Sequence, residues 1–265
     1  MNGLMPKHKI MKIFLKIILV IVILVVFVFG GMLIYVKTAL PDVGPPPDLK
    51  VEITPERLER GEYLAYNVAM CIDCHSDRDW DKFSGPPVEG TDGQGGEIFP
   101  RKMGFPGNYY APNITPSGIG DWTDGELFRA ITAGVNKDGD ALFPVMPYPY
   151  FGKMDREDIL SIIAYIRTLM LIKNAVPKSE SDFPFNFIIN LIPAKPDFQQ
   201  NPPESDKVAY GETLSMACME CHTQVEKGQV IPELAFSGGR GFPMPTGGTV
   251  FSSNITPDKE TGIGK

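Results

Sequence analysis

The chain of 265 residues holds four cysteines and three histidines. Two pentads, Cys71-Ile72-Asp73-Cys74-His75 and Cys218-Met219-Glu220-Cys221-His222, take up all of them except His8. C-x-x-C-H is the pattern of covalent, c-type haem attachment: two thiols add across the haem vinyl groups and the adjacent imidazole becomes an axial ligand of the iron. The spacing suits one helical turn, which sets both sulfurs at one haem edge and the histidine against the metal. The pentads therefore mark Cys71, Cys74, Cys218 and Cys221 as attachment residues and His75 and His222 as iron ligands. The expected cofactor is heme c, two copies, each covalently attached. Zinc fits less well, because a structural site takes a fourth ligand, usually Cys or His, and none remains. A redox disulfide accounts for each C-x-x-C but not for the histidine that follows it.

A class I cytochrome c also needs a sixth iron ligand, commonly a methionine thioether, which raises the reduction potential. Met146 is the candidate in the first unit, 71 residues beyond His75 in Phe143-Pro144-Val145-Met146-Pro147-Tyr148. Prolines on both sides hold an extended backbone and aim the sulfur inward. Plain packing is the competing role for any methionine; Met103 lies too near His75 and Met154 sits at a helix start. For the second haem the repeat projects the matching methionine beyond Lys265. Met244, between Pro243 and Pro245, is on the wrong side of the repeated Asn-Ile-Thr-Pro motif described below. Trp122 and Tyr148 fit a haem pocket and fit an ordinary core equally well.

The elements that must position these groups are partly readable. Thr54-Pro55-Glu56 reads as a helix start, with Leu58, Leu64, Ala65 and Val68 on one face of a helix leading directly into Cys71. Gly61 costs that helix about 1 kcal/mol relative to Ala, unless it permits close approach of another helix. Asp155-Arg156-Glu157-Asp158 caps that second helix, in which Ile159, Ile162, Ile163, Ile166 and Met170 recur at helical spacing. Residues 84–113 between them are Gly/Pro-rich and irregular, so a buried haem would supply apolar bulk that aliphatic side chains do not.

Upstream, Lys7, Lys9, Lys12 and Lys16 precede a charge-free run at 17–36 rich in Ile, Val, Leu and Phe. Twenty helical residues span about 30 Å, the thickness of a bilayer core. The run exceeds a signal-peptide core and no Ala-x-Ala site follows it, so it is expected to stay as a transmembrane anchor. Its lysines keep residues 1–16 in the cytoplasm, placing everything after Lys37 on the extracytoplasmic, periplasmic side of the inner membrane. Haem attachment outside the cytoplasmic membrane agrees with that topology. Pro41, Pro45, Pro46 and Pro47 make 37–53 a stiff spacer.

The chain is internally duplicated. Gly61-Glu62 before the first pentad matches Gly211-Glu212 before the second, and Asn113-Ile114-Thr115-Pro116…Gly118-Ile119-Gly120 matches Asn254-Ile255-Thr256-Pro257…Gly262-Ile263-Gly264. The expected organisation is a first cytochrome c domain at 54–171, a proline-rich connection at 172–204 and a second domain at 205–265. Ser205 or Asp206 caps a helix running into Cys218. The second copy stops where the first continues through Trp122 and Met146, so it is expected to be incomplete at the C-terminus, as in a fragment. Phe183-Pro184-Phe185 and Phe187-Ile188-Ile189 are too apolar for a free linker; they are expected to pack across the haem domains, with membrane-surface contact the weaker alternative.

The exported part is acidic. The 25 basic residues less the four N-terminal lysines leave 21 against 32 acidic, a balance of −11. That argues against nucleic acid and against an anionic surface as binding partners.

With the pentads, Asn113-Ile114-Thr115-Pro116…Gly118-Ile119-Gly120-Asp121-Trp122, Met146-Pro147-Tyr148, Asp158-Ile159…Ala164-Tyr165-Ile166-Arg167 and Phe183-Pro184-Phe185-Asn186, the chain from about residue 59 resembles the multihaem cytochrome c subunits of bacterial membrane-bound alcohol, aldehyde and gluconate dehydrogenases. The resemblance implies an all-α fold of tandem class I cytochrome c domains. It also implies electron transfer from a periplasmic dehydrogenase donor to a respiratory-chain acceptor, an electron carrier rather than an enzyme. A dihaem peroxidase-like haem enzyme is the alternative; it needs acid/base groups over an open iron, for which no histidine remains.

Overall fold

The computed structural model describes residues 7–226, 229–244 and 247–264. Residues 1–6 of the basic N-terminal segment, Pro245 beside Met244, and Lys265 lie outside them. Helix α1 (Lys7–Thr38) is followed by an extended proline-rich strap. It is long and apolar enough to cross a membrane, and its apolar side chains from Met11 to Phe29 are exposed. Next come α2 (Pro55–Tyr63), a π-helical turn at Leu64–Val68, and α3 (Cys71–Cys74). Strands β1 (Ile98–Phe99) and β2 (Gly107–Tyr110) precede α4 (Pro116–Ile119), α5 (Asp124–Ala133), α6 (Tyr148–Phe151) and α7 (Arg156–Ile166). The connection carries β3 (Glu180–Ser181), α8 (Phe185–Ile188) and a 3-10 turn at Ile189–Leu191. Helix α9 (Lys207–His222) then leads to two antiparallel ribbons, β4 (Val225–Glu226) with β5 (Gln229–Val230), and β6 (Gly241–Pro243) with β7 (Thr249–Phe251).

Helices carry the core, and the short antiparallel ribbons add strands to what the sequence reads as all-α. Strands β1, β2 and β3 pair in that order, with Ile98 opposite Tyr110 and Gly107 opposite Ser181. That pairing ties the start of the connection to the irregular region before Asn113.

The central contact is α2 against α7. Thr54 caps α2, its Oγ1 accepting from Arg57 N–H at 3.3 Å, and Asp155 caps α7 by accepting from Glu157 N–H at 2.8 Å. Gly61 lies at the crossing: a Cβ there would sit 2.0 Å from the Ser161 carbonyl oxygen. The glycine therefore permits the close approach. Leu64, Ile72, Ile159, Ile162 and Ile163 are fully enclosed around it, each contributing about 1.5–3 kcal/mol by burial. Arg60 holds the half of the interface nearest the cap, donating through Nε and Nη2 to Asp158 at 2.8 Å each. A fork of this kind on a buried carboxylate is worth more than an exposed pair.

Two features depart from the sequence pattern. The helix expected to run into Cys71 is broken, because the π turn loosens it and Met70, at φ 49°, leaves the right-handed helical region before α3 begins. Met70 is exposed, so the left-handed conformation is imposed by the chain path rather than by packing of its side chain. Met170 does not extend the apolar face of α7. The helix ends at Ile166 with Arg167 bound to the Ile119 and Trp122 carbonyls, and Met170 beyond it is 72% exposed.

Gly61→Ala should lower stability by about 1–3 kcal/mol through overpacking, even though alanine is the better helix former. The urea midpoint measures this; a midpoint at or above that of the parent would refute the close approach at Ser161.

Candidate haem-binding sites

In the first motif, Cys71 and Cys74 lie on the single turn of α3 and His75 caps it, its backbone N–H donating to the Cys71 carbonyl at 2.9 Å. His75 is 8% exposed. Its Nδ1 lies 2.7 Å from the Pro112 carbonyl oxygen. A carbonyl accepts only, so Nδ1 carries the proton, and Nε2 is left as the ring's basic nitrogen. Burial lowers the His75 pKa, and the bond to Pro112 acts the other way. The result is a neutral, oriented imidazole, the form that ligates a metal.

The carbonyl is itself held in place. Gly95 N–H donates to the His75 carbonyl at 2.8 Å, and Gly96 N–H to the Ala111 carbonyl at 2.9 Å. Gly95 adopts φ +72°, and a Cβ there would meet the Pro112 carbonyl carbon at 2.5 Å. Asn113 Oδ1 accepts from Thr115 N–H at 2.9 Å and Oγ1–H at 2.7 Å, while its Nδ2 donates to the Ile172 carbonyl at 2.8 Å. The Asn-Ile-Thr-Pro stretch is therefore a corner that presents the preceding carbonyl to the histidine.

The second motif repeats this arrangement group for group. His222 Nδ1 lies 2.7 Å from the Ser253 carbonyl oxygen, and Gly238 N–H donates to the His222 carbonyl at 2.8 Å. Gly238 has φ +71°, with a Cβ there 2.4 Å from the Ser253 carbonyl carbon. Asn254 Oδ1 accepts from Thr256 N–H and Oγ1–H at 2.9 and 2.7 Å. Here the motif rides on the last turn of a continuous helix, α9, capped by Asp206. Pro112 and Ser253, with Gly95 and Gly238, are the functional positions that motif reading missed. The signal was present: each carbonyl residue immediately precedes a copy of Asn-Ile-Thr-Pro.

The thiols of the first motif are half-buried, and those of the second are exposed. Burial pushes Cys71 up to about 12, reinforced by Cys74 and Asp73. Burial pushes Cys74 up to about 11; Arg78 opposes the rise, and Asp73, Glu97 and the Cys221 thiol of the second motif add to it. Burial raises Cys221 too, against the pull of Arg240. Arg240 also donates to the Glu220 carbonyl, and the Arg60 Nη1 donates to Tyr210 Oη at 3.0 Å, so α9 is tied at both ends.

Met146 is half-buried against the hydrophobic core, and its carbonyl accepts from Tyr148 N–H at 2.7 Å. Met216 and Ala217 of α9 meet Val68, Pro147, Phe151 and Met154 across a small cavity, so the segment after Met146 lies between the two units. Tyr148 is enclosed with its ring over Gly134, and its hydroxyl is a buried donor without a partner among the described residues. Such an atom suits a polar edge of a bound group. Trp122 is half-buried on the same core. Met244 sits in the β6–β7 turn, its N–H donating to the Gly248 carbonyl at 3.0 Å. The residues present fit heme c: paired thiols on one turn and an imidazole with its outer nitrogen already bonded at both motifs, and at the first a buried histidine.

No family model matches the chain. The fructose dehydrogenase cytochrome subunit of Gluconobacter japonicus is 31% identical over 224 residues, covering 78% of this chain and 42% of that protein. The cytochrome c subunit of gluconate 2-dehydrogenase from Pantoea cypripedii is 28% identical over 229 residues, 78% of this chain and 48% of its own length. A dihaem c-type cytochrome of Cereibacter sphaeroides is 28% identical over 230 residues, 80% of this chain and 71% of that protein. The chain spans less than half the length of the dehydrogenase subunits it matches. Its homologues include cytochrome c subunits of fructose, alcohol and gluconate dehydrogenases and a dihaem cytochrome c, as the motifs imply.

Gly95→Ala in the haem-loaded chain should displace the Pro112 carbonyl and weaken its bond to His75. A less basic imidazole stabilises the ferric state less, so the midpoint potential of the first haem should rise. Spectroelectrochemical titration reads the shift; an unchanged potential would show that the carbonyl does not tune this ligand.

Proposed function

We propose that this homologue of bacterial cytochrome c subunits is a membrane-anchored dihaem c-type cytochrome that carries electrons between a periplasmic dehydrogenase and the respiratory chain. The observation that carries the reading is the matched pair of histidine caps, His75 to Pro112 and His222 to Ser253, at two C-x-x-C-H motifs. Haem, when bound, supplies one-electron exchange between ferrous and ferric iron. On this reading Cys71, Cys74, Cys218 and Cys221 hold the haems through thioether bonds. His75 and His222 would ligate iron through Nε2. Met146 would supply the thioether ligand in the first domain, on a loop stiffened by Pro144 and Pro147.

Tandem class I domains at 54–171 and 205–265, joined by 172–204, are supported by the repeated corner geometry. The α1 helix at 17–36 is assigned as the transmembrane anchor, supported by its length, its exposed apolar surface and the lysines before it. The inner membrane and its periplasmic side follow from those lysines and from where c-type haem is attached. Relatives that are cytochrome subunits of fructose, alcohol and gluconate dehydrogenases support a dehydrogenase as donor. The acidic head favours a redox partner with a basic patch and transient contact.

Alkaline pyridine spectroscopy on chain matured in a host that attaches c-type haem tests the cofactor content. Two haems per polypeptide are expected; one would remove the second site, and none would sink the reading. Met146→Ala should then lower the potential of one haem and open its iron to added imidazole. Retention of both potentials in that variant would show that Met146 is not a ligand.

A further inference from the structure

Helix α1 ends against the connection. Helix α8 and the 3-10 turn Ile189–Leu191 pack on it, and Val36 near its end is 5% exposed. Lys37 Nζ lies 5.3 Å from the centroid of the Phe187 ring. Lys37 closes the charge-free run 17–36, so a ring that touches it sits where acyl chains give way to headgroups. The segment around that ring is also anchored to the first unit. Phe185 packs on Phe143 at 5.6 Å between centroids, and Phe143 stacks on Tyr109 at 3.9 Å. Asn190 is buried, its Nδ2 donating to the Asn186 and Phe187 carbonyls at 3.3 and 3.2 Å.

What remains uncovered is apolar. Phe183 is 74% exposed, with its ring edge-on to Phe187 at 6.3 Å, and Ile188 and Leu191 are 42% and 57% exposed. Asp182, which precedes the run, is neutralised by Arg101 at 2.6–2.7 Å. Scattered exposed apolar side chains need no explanation, but a cluster held at the end of a membrane-length helix does. Its continuity with that helix selects lipid over a protein partner.

We propose that residues 183–192 form a second membrane contact, an interfacial seat. Phe183, Ile188 and Leu191 enter the acyl–headgroup boundary of a phospholipid bilayer beside α1. The inference rests on the reading of α1 as a membrane span. The seat fixes how the haem-bearing part is oriented over the bilayer, which a single helix and a proline-rich strap leave to rotation about the helix axis.

The test uses the full haem-loaded chain in phosphatidylethanolamine/phosphatidylglycerol vesicles doped with a phospholipid carrying a diazirine near its acyl carbonyl. Photolysis and peptide mapping locate the adducts. Label in both 17–36 and 183–192 is expected. Label in 17–36 alone overturns the seat and leaves the anchor standing, whereas label in neither overturns both. The variant F183E/I188E/L191E should keep the haem spectrum and the 17–36 adducts while losing those at 183–192. Adducts that persist at 183–192 in this variant overturn the assignment to these side chains.

Discussion

The bond between His75 Nδ1 and the Pro112 carbonyl is the constraint around which the first unit closes. It decides which ring nitrogen carries the proton, and so which one can face a metal. It also joins segments 37 residues apart that share no secondary structure. From Pro112 the constraint passes to Asn113, whose amide is bound to the Ile172 carbonyl just beyond α7. Helix α7 packs through Ser161 on Gly61 of α2, and α2 leads back through the π turn to Cys71. The path is a closed ring of contacts. Loosening any one of them moves the imidazole relative to the two sulfurs.

The second unit keeps the cap and changes its support. Asn254 turns its amide to Thr261 Oγ1 at 2.8 Å, a neighbour in its own loop, where Asn113 reaches the distant Ile172 carbonyl beyond α7. His222 is correspondingly less enclosed than His75, and Cys218 and Cys221 are exposed where Cys71 and Cys74 are half-buried. Its motif helix leans instead on the first unit, through Arg60 to Tyr210 and through the surface around Met154.

The candidate sites were legible because C-x-x-C-H needs specific residue types at fixed spacing, and the duplication was legible because each corner keeps the same four residues. Capping by Thr54 and Asp155 could be read for a similar reason, since a side-chain acceptor two or three residues before a helical N–H is local. Contacts between distant backbone groups were not legible. Any residue supplies a carbonyl, so Pro112 and Ser253 carried no composition signal, only their position before Asn-Ile-Thr-Pro. The break at Met70 was hidden because the apolar spacing of Leu64, Ala65 and Val68 continues across the π turn as though the helix were regular. Periodicity registers which face is buried but not a change in the hydrogen-bond step.

Charge decides how such a head can rest on a membrane. A formal balance of −11 outside the N-terminal segment repels an anionic leaflet as a whole. A membrane contact on this part therefore has to be local and apolar, with any acid beside it neutralised. The region 182–192 meets those terms: Asp182 is paired, the exposed side chains are Phe, Ile and Leu, and the neighbouring cation is Lys37. Tyr109 and Phe143, which brace the seat, join it to the sheet before the Pro112 corner.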